Sequence, residues 1–141
     1  ESVRNKIMPF TKDFPLIELK ESLIYWYKKT NRRITYEYIV LKGINDSRSD
    51  INALIDFCKI VPSKVNLIQY NSIGNDDFKT ADTKTIKLYE DELEKKKIIV
   101  TFRRSRGQDI DAACGQLANK EVSLNWSNYF LLLLEANINA L

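Results

Sequence analysis

Apolar positions along this chain change their period several times, and each change marks an element. From Pro15 onward Leu16, Leu19, Leu23, Trp26 and Tyr27 recur at helical spacing with lysine and glutamate between them, which predicts a helix opened by the proline. Thr30 to Arg33 ends it. Ile34 to Leu41 is rich in β-branched and aromatic residues and reads as a buried strand interrupted by Glu37. Gly43 and Asn45-Asp46-Ser47 supply turn and cap chemistry. Ile51, Leu54, Ile55 and Cys58 then form one helical stripe, with Pro62 just beyond its end. Val65 to Tyr70 reads as a second strand and Asn71 to Asp77 as a polar loop. Thr83 to Lys97 is a third helix whose lysine-rich end suits the negative end of the helix dipole. Ile98 to Phe102 is a third strand.

Strand, helix, strand, helix, strand at this spacing predicts parallel βαβ units. Three parallel strands make a poor sheet by themselves, because such sheets need both faces covered and their edges protected. The expected parent is therefore a barrel or a doubly wound sheet. In either one, function gathers at the carboxyl ends of the strands. Those ends are Lys42 to Asp46, Asn71 to Asp76, and Arg103 to Cys114.

Composition narrows the chemistry. The chain has 141 residues, 44% of them hydrophobic, with four glycines and three prolines, as expected of one globular domain. Its net charge of +3 is too mild to argue for a nucleic-acid partner alone. Two distant cysteines, Cys58 and Cys114, give no disulfide framework and point to a reducing, cytoplasmic setting. The absence of histidine excludes a Ser-His-Asp triad, a Cys/His zinc site and an imidazole base within these residues. No metal ligands are expected here. The polar amino terminus lacks a signal core, and Tyr129 to Leu134 is far shorter than the roughly 20 residues a bilayer requires, so no membrane partner is expected. Because the first residue is Glu1 rather than methionine, a fragment or processed product is the expectation.

Candidate residues lie at the predicted strand ends. Arg103, Arg104 and Arg106 follow the third strand and can grip phosphates, or simply form a solvated strand end. Cys114 sits between small residues and a glycine; it is either a nucleophile on a loop or a small half-buried cysteine. Cys58, on an apolar stripe, reads as core. Asn66 and Asn71 can offer a donor and an acceptor to a ligand, or, at Asn71, make a turn. Glu37 must find a partner or face a cavity.

Together the strings carry a resemblance. Arg106-Gly107-Gln108-Asp109-Ile110-Asp111-Ala112-Ala113-Cys114-Gly115-Gln116-Leu117-Ala118 resembles the carboxyl-terminal signature of the RlmN family of dual-specificity radical-SAM methyltransferases. Glu37 to Asp46 is similar to that family's fifth barrel strand and the turn after it, Val65 to Asn71 to the sixth strand, and Arg4 to Pro9 to the segment after the fourth. The resemblance is collinear from about Val3 to Ala118. It implies an α/β fold, the carboxyl-terminal part of a radical-SAM partial (β/α)6 barrel, spanning residues 1–121, with an atypical apolar tail over 122–141.

The same resemblance implies a chemistry. The family uses one S-adenosylmethionine to methylate the cysteine matching Cys114. A second, cleaved by a [4Fe-4S] cluster, yields a radical that abstracts hydrogen from that methyl group. The methylene radical adds to C2 of an adenine in 23S rRNA, and in many members of tRNA, before a second cysteine resolves the adduct. An amidine carbon is not nucleophilic, so a radical route is required. Asn71 matches a cofactor-binding asparagine, and a flavodoxin-type electron donor is an implied partner. This sequence lacks the family's CxxxCxxC cluster motif, and Cys58 does not match the resolving position, so the fragment alone is expected to be inactive. Beyond Lys120, where the family continues with basic residues, the apolar tail reads as a lineage-specific helix or as the product of a reading-frame change. Two other readings compete: a Cfr-type enzyme modifying C8 of the same adenosine, and a non-catalytic RNA-binding module.

Overall fold

The computed structural model describes residues 1–71 and 78–103. It contains α1 (Ser2–Ile7), a 3-10 helix (Pro9–Asp13), α2 (Leu16–Thr30), β1 (Ile34–Ile39), α3 (Arg48–Cys58), β2 (Ser63–Ile68), α4 (Thr83–Lys95) and β3 (Ile99–Arg103). The strands form one parallel sheet in the order β1-β2-β3, so each helix between strands is a crossover, as the alternating pattern predicts. The boundary expected at residue 121 lies outside the described residues.

One face of the sheet builds the core. Val65 and Leu67 of β2 are almost wholly buried, and Tyr36, Tyr38, Val100 and Phe102 pack beside them. Ile51, Leu54, Ile55 and Cys58 of α3, with Ile86, Tyr89 and Leu93 of α4, complete that layer. Both helices show why they begin where they do. Ser47 and Asp50 form a capping box at the start of α3, each side chain accepting from the other's backbone N–H. Asp82 precedes α4 in extended conformation, and its carboxylate pairs with Lys42 at 3.1 Å.

The strand expected over Ile34 to Leu41 ends at Ile39 and is not buried on both sides. Its burial alternates, with Thr35, Glu37 and Ile39 exposed, so Glu37 does not interrupt a buried strand but sits on an open face. Beyond Ile39 the chain leaves the ladder, and Asn45 takes over the Ile39 carbonyl and the Leu41 N–H. Its side chain accepts from the Leu41 N–H at 2.7 Å and donates to the Ile39 carbonyl at 2.9 Å. The Asn45 carbonyl in turn accepts from the Tyr89 hydroxyl at 2.5 Å, tying this turn to α4. The first turn of the chain, α1 and the 3-10 helix, has no apolar periodicity strong enough to predict it. Arg4 holds it together by donating to the Phe14 carbonyl at 2.7 Å.

Tyr89→Phe removes the hydroxyl that serves the buried Asn45 carbonyl and should lower the stability of the chain by about 1–3 kcal/mol; an unchanged urea midpoint would contradict that role. A pH dependence follows from the same layer. Burial pushes the Tyr36 phenol up to about 12, the nearby Cys58 adding to it, and also raises Tyr38 and Tyr89. A phenol whose folded value exceeds its unfolded value stabilises fully below about pH 10 and loses that contribution as pH climbs toward the folded value. The urea midpoint should therefore fall above pH 10, and a flat profile up to pH 11.5 would refute the assignment.

Candidate functional site on the open sheet face

Parallel register puts equivalent residues of the three strands in rows across the uncovered face. Thr35, Lys64 and Ile99 form the first row, Glu37, Asn66 and Thr101 the second, and Ile39, Ile68 and Arg103 the third, nearest the carboxyl ends. The middle row is hydrogen-bonded from end to end. Thr101 donates to the Asn66 carbonyl oxygen at 3.0 Å, and the Asn66 amide donates to the two Glu37 oxygens at 2.9 and 3.2 Å.

Chemistry fixes the direction of this row. An ionised carboxylate only accepts, so Asn66 must turn its NH2 toward Glu37 and its oxygen toward Thr101. The negative end is thus Glu37, whose remaining lone pairs face outward. Arg103, two residues beyond Thr101, is exposed in the next row and gives the same face a cation at its mouth. The inner layers of an ordinary α/β barrel are filled by branched aliphatic residues. A row of acid, amide and hydroxyl instead suits a ligand rich in donors, such as an amine or a sugar diol.

The carboxyl ends of β1 and β2 are strapped together. Leu41 and Thr80 form an antiparallel bridge, the Lys42 N–H donates to the Lys79 carbonyl at 2.9 Å, and the Thr80 hydroxyl donates to the Tyr70 carbonyl at 2.9 Å. Beside this strap lies a cleft of about 340 Å³ lined by Gln69, Tyr70, Thr80, Thr83 and Phe102 among others. Asn71 follows directly after the second strand and is buried, 5% exposed. Cys58 is buried in the core, as its apolar stripe predicts, and burial raises its thiol above the ordinary value, so it is a poor thiolate.

Of the residues singled out from sequence, Glu37, Asn66 and Arg103 share the open face. Cys114, Arg104 and Arg106 lie outside the described residues, as does the tail over 122–141. Thr101 was not foreseen. A threonine in a strand is unremarkable until register sets it beside Asn66, so the signal lay in counting equal distances from the strand starts. The carboxylate and amide of the polar row are acceptor and donor groups of the kind S-adenosylmethionine would need. They do not fit an iron–sulfur cluster: among the described residues no group of histidine, cysteine or acidic side chains could hold a metal ion. Nor is any helix among them long and apolar enough to cross a membrane.

No family model matches the chain. A probable dual-specificity RNA methyltransferase RlmN from Flavobacterium psychrophilum is 60% identical over 122 residues, 86% of this chain and 35% of that protein. A protein of the same name from Christiangramia forsetii is 61% identical over 118 residues, 84% of this chain and 34% of its own length. The dual-specificity RNA methyltransferase RlmN of Paramagnetospirillum magneticum is 44% identical over 121 residues, covering 85% of this chain and 26% of that protein. Among solved structures, a radical SAM methyltransferase from Sphaerobacter thermophilus aligns with a TM-score of 0.78 at 33% identity, over 82% of this chain and 34% of that one. A domain of pyruvate-formate lyase-activating enzyme from Bacteroides vulgatus, with a TM-score of 0.57 at 14% identity over 72% of this chain and 60% of that one, shares the fold alone. The chain spans about a third of the length of the first two of these relatives. Its α/β fold with a parallel sheet is that of part of a radical-SAM barrel. By identity at this level along most of its residues, the chain belongs to the RlmN family.

Proposed function

We propose that this chain supplies one wall of the cofactor cavity and the methyl-carrying cysteine of an RNA methyltransferase, and that the whole protein methylates C2 of an adenosine in 23S rRNA, and also in tRNA. The observation that carries the reading is the polar row Glu37–Asn66–Thr101 on the sheet face left open by its own helices. A parallel sheet needs cover on both faces, and a face whose middle row is polar suits a cavity better than a packed core.

S-adenosylmethionine, when bound, supplies the methyl group and, reduced by a [4Fe-4S] cluster whose ligands belong to the rest of the protein, the radical that the reaction needs. The chain's own residues have simpler tasks. Glu37 accepts from the donor groups of the cofactor, and Asn66 and Thr101 hold its carboxylate in place. Asn71, just past β2, is a further cofactor contact. Cys114 offers its thiol as methyl acceptor and carrier. Arg103, Arg104 and Arg106 hold RNA phosphates at the mouth, where guanidinium groups bind them bidentately. A flavodoxin-type donor in the cytoplasm would deliver the electrons.

Cys114→Ala in the full-length enzyme should abolish methylated RNA while leaving cluster content intact. Retained C2 methylation, read by mass spectrometry of the digested rRNA, would refute the role, and methylation at C8 would refute the regiochemistry. Glu37→Gln keeps the shape of the side chain but removes its charge. It should weaken S-adenosylhomocysteine binding about tenfold, the scale of one charge-assisted hydrogen bond. An unchanged dissociation constant in calorimetry, with the fold preserved, would remove Glu37 from the cofactor wall.

A further inference from the structure

The opposite rim of the sheet, where the strands begin, concentrates positive charge that the proposed chemistry does not use. Parallel topology brings all three helix-to-strand connections to this rim. They are close neighbours: the Ile34 N–H donates to the Pro62 carbonyl at 3.1 Å, and Lys64 lies in register with Ile99. With strands about 4.8 Å apart, the three starts fall within about 10 Å. The first connection carries Arg32 and Arg33, the second leads into Lys64, and the third holds Lys96 and Lys97. All five are exposed, and none is in an ion pair among the described residues. Lys28 and Lys29 add to the charge from the last turn of α2. Of the acids nearby, Asp56 and Glu92 are already engaged, with Lys59 at 2.8 Å and with Lys95 at 2.8 Å, and Glu94 in the last turn of α4 offsets one cation of the rim.

Helix dipoles explain only part of this. Cations in the last turns of α2 and α4 complement the negative helix ends. Yet α3 ends without any basic residue in its last turn, and Arg32, Arg33 and Lys64 lie beyond the helices. Lys97 is costlier still: its φ of 60° is left-handed, where glycine is favoured. An exposed aromatic ring stands beside one of the α2 cations, Tyr25 at 65% exposure with the Lys29 ammonium 5.6 Å from its centroid.

We infer that this rim is a second RNA-binding surface, holding the phosphate backbone of a stem whose end is bound at the mouth. The inference rests on the methyltransferase reading for the identity of the polyanion. Five exposed cations on three adjacent connections, two of them guanidinium, with an exposed tyrosine toward the end of α2, suit a nucleic-acid backbone better than the irregular acids of a protein surface. The span fits. Strands of five or six residues are about 20 Å long, and an A-form RNA helix advances roughly 30 Å per turn, so a stem leaving the mouth passes the rim within about one turn.

The test uses the full-length enzyme, an in vitro transcribed rRNA fragment with its neighbouring stems, and a minimal hairpin too short to reach the rim. The combined variant Arg32→Ala, Arg33→Ala, Lys96→Ala and Lys97→Gly should weaken binding of the long RNA at least tenfold and flatten its log–log salt slope by about 3, roughly 0.7–0.9 per lost contact. Hairpin binding and methylation should stay unchanged. Lys97→Gly alone relieves the left-handed lysine, so it should flatten the slope by about 0.7–0.9 without loss of melting temperature. Equal effects on hairpin and long RNA, or none on either, would overturn the rim surface while leaving the methyltransferase reading intact. If RNA binding is unchanged but turnover slows with flavodoxin and not with dithionite, the rim serves an acidic protein and the inference falls. Absence of RNA binding by the unaltered enzyme would instead sink the methyltransferase reading itself.

Discussion

Parallel pairing in strict register is the constraint on which the rest depends. Because Glu37, Asn66 and Thr101 stand opposite one another, three side chains from distant parts of the sequence become one hydrogen-bonded row. Because all crossovers run the same way, the helix-to-strand connections gather at one rim and the strand-to-helix connections at the other. A slip of one residue in β2 would turn Val65 and Leu67 outward and carry Asn66 into the apolar layer, where its amide would lack partners. The apolar face thus sets the register, and the register then builds the polar face. Neither side of the sheet can be altered without the other.

That coupling shows what sequence could and could not reveal. Apolar periodicity located the crossover helices, because α3 and α4 each bury one stripe against the sheet. It located the strands to within two residues at either end. It misjudged β1, because Ile39 to Leu41 extend the apolar run of the strand, although Ile39 lies on the opposite face from Tyr36 and Tyr38 and the ladder ends there. Glu37 was visible as an anomaly, yet its meaning was not, since its partner Asn66 is 29 positions away. Thr101 was invisible for the same reason. The 3-10 helix at Pro9–Asp13 is held by side-chain-to-carbonyl bonds from Arg4, which no pattern of hydropathy encodes.

The environment of Cys58 decides its chemistry. Cys58, the last residue of α3, faces the core, where desolvation favours the neutral thiol and suppresses nucleophilicity. A methyl acceptor needs the opposite: access, and a neighbouring positive charge such as a sulfonium to favour the thiolate. The family string around Cys114, with small residues before it and glycine after, imposes no apolar stripe on that thiol. Burial thus makes Cys58 a structural cysteine, and the carrier role proposed for Cys114 rests on its family string.

Net charge would have hidden the basic rim entirely. A sum of +3 over 141 residues suggests nothing, because acids on helix surfaces cancel cations elsewhere in the count. Charges act over roughly a Debye length, about 8–10 Å at physiological salt, so what a phosphate meets is the local arrangement. The topology compresses three connections, separated by some thirty residues each, into about that distance. A polyanion approaching the strand starts would therefore meet a far more positive surface than the whole-chain value implies.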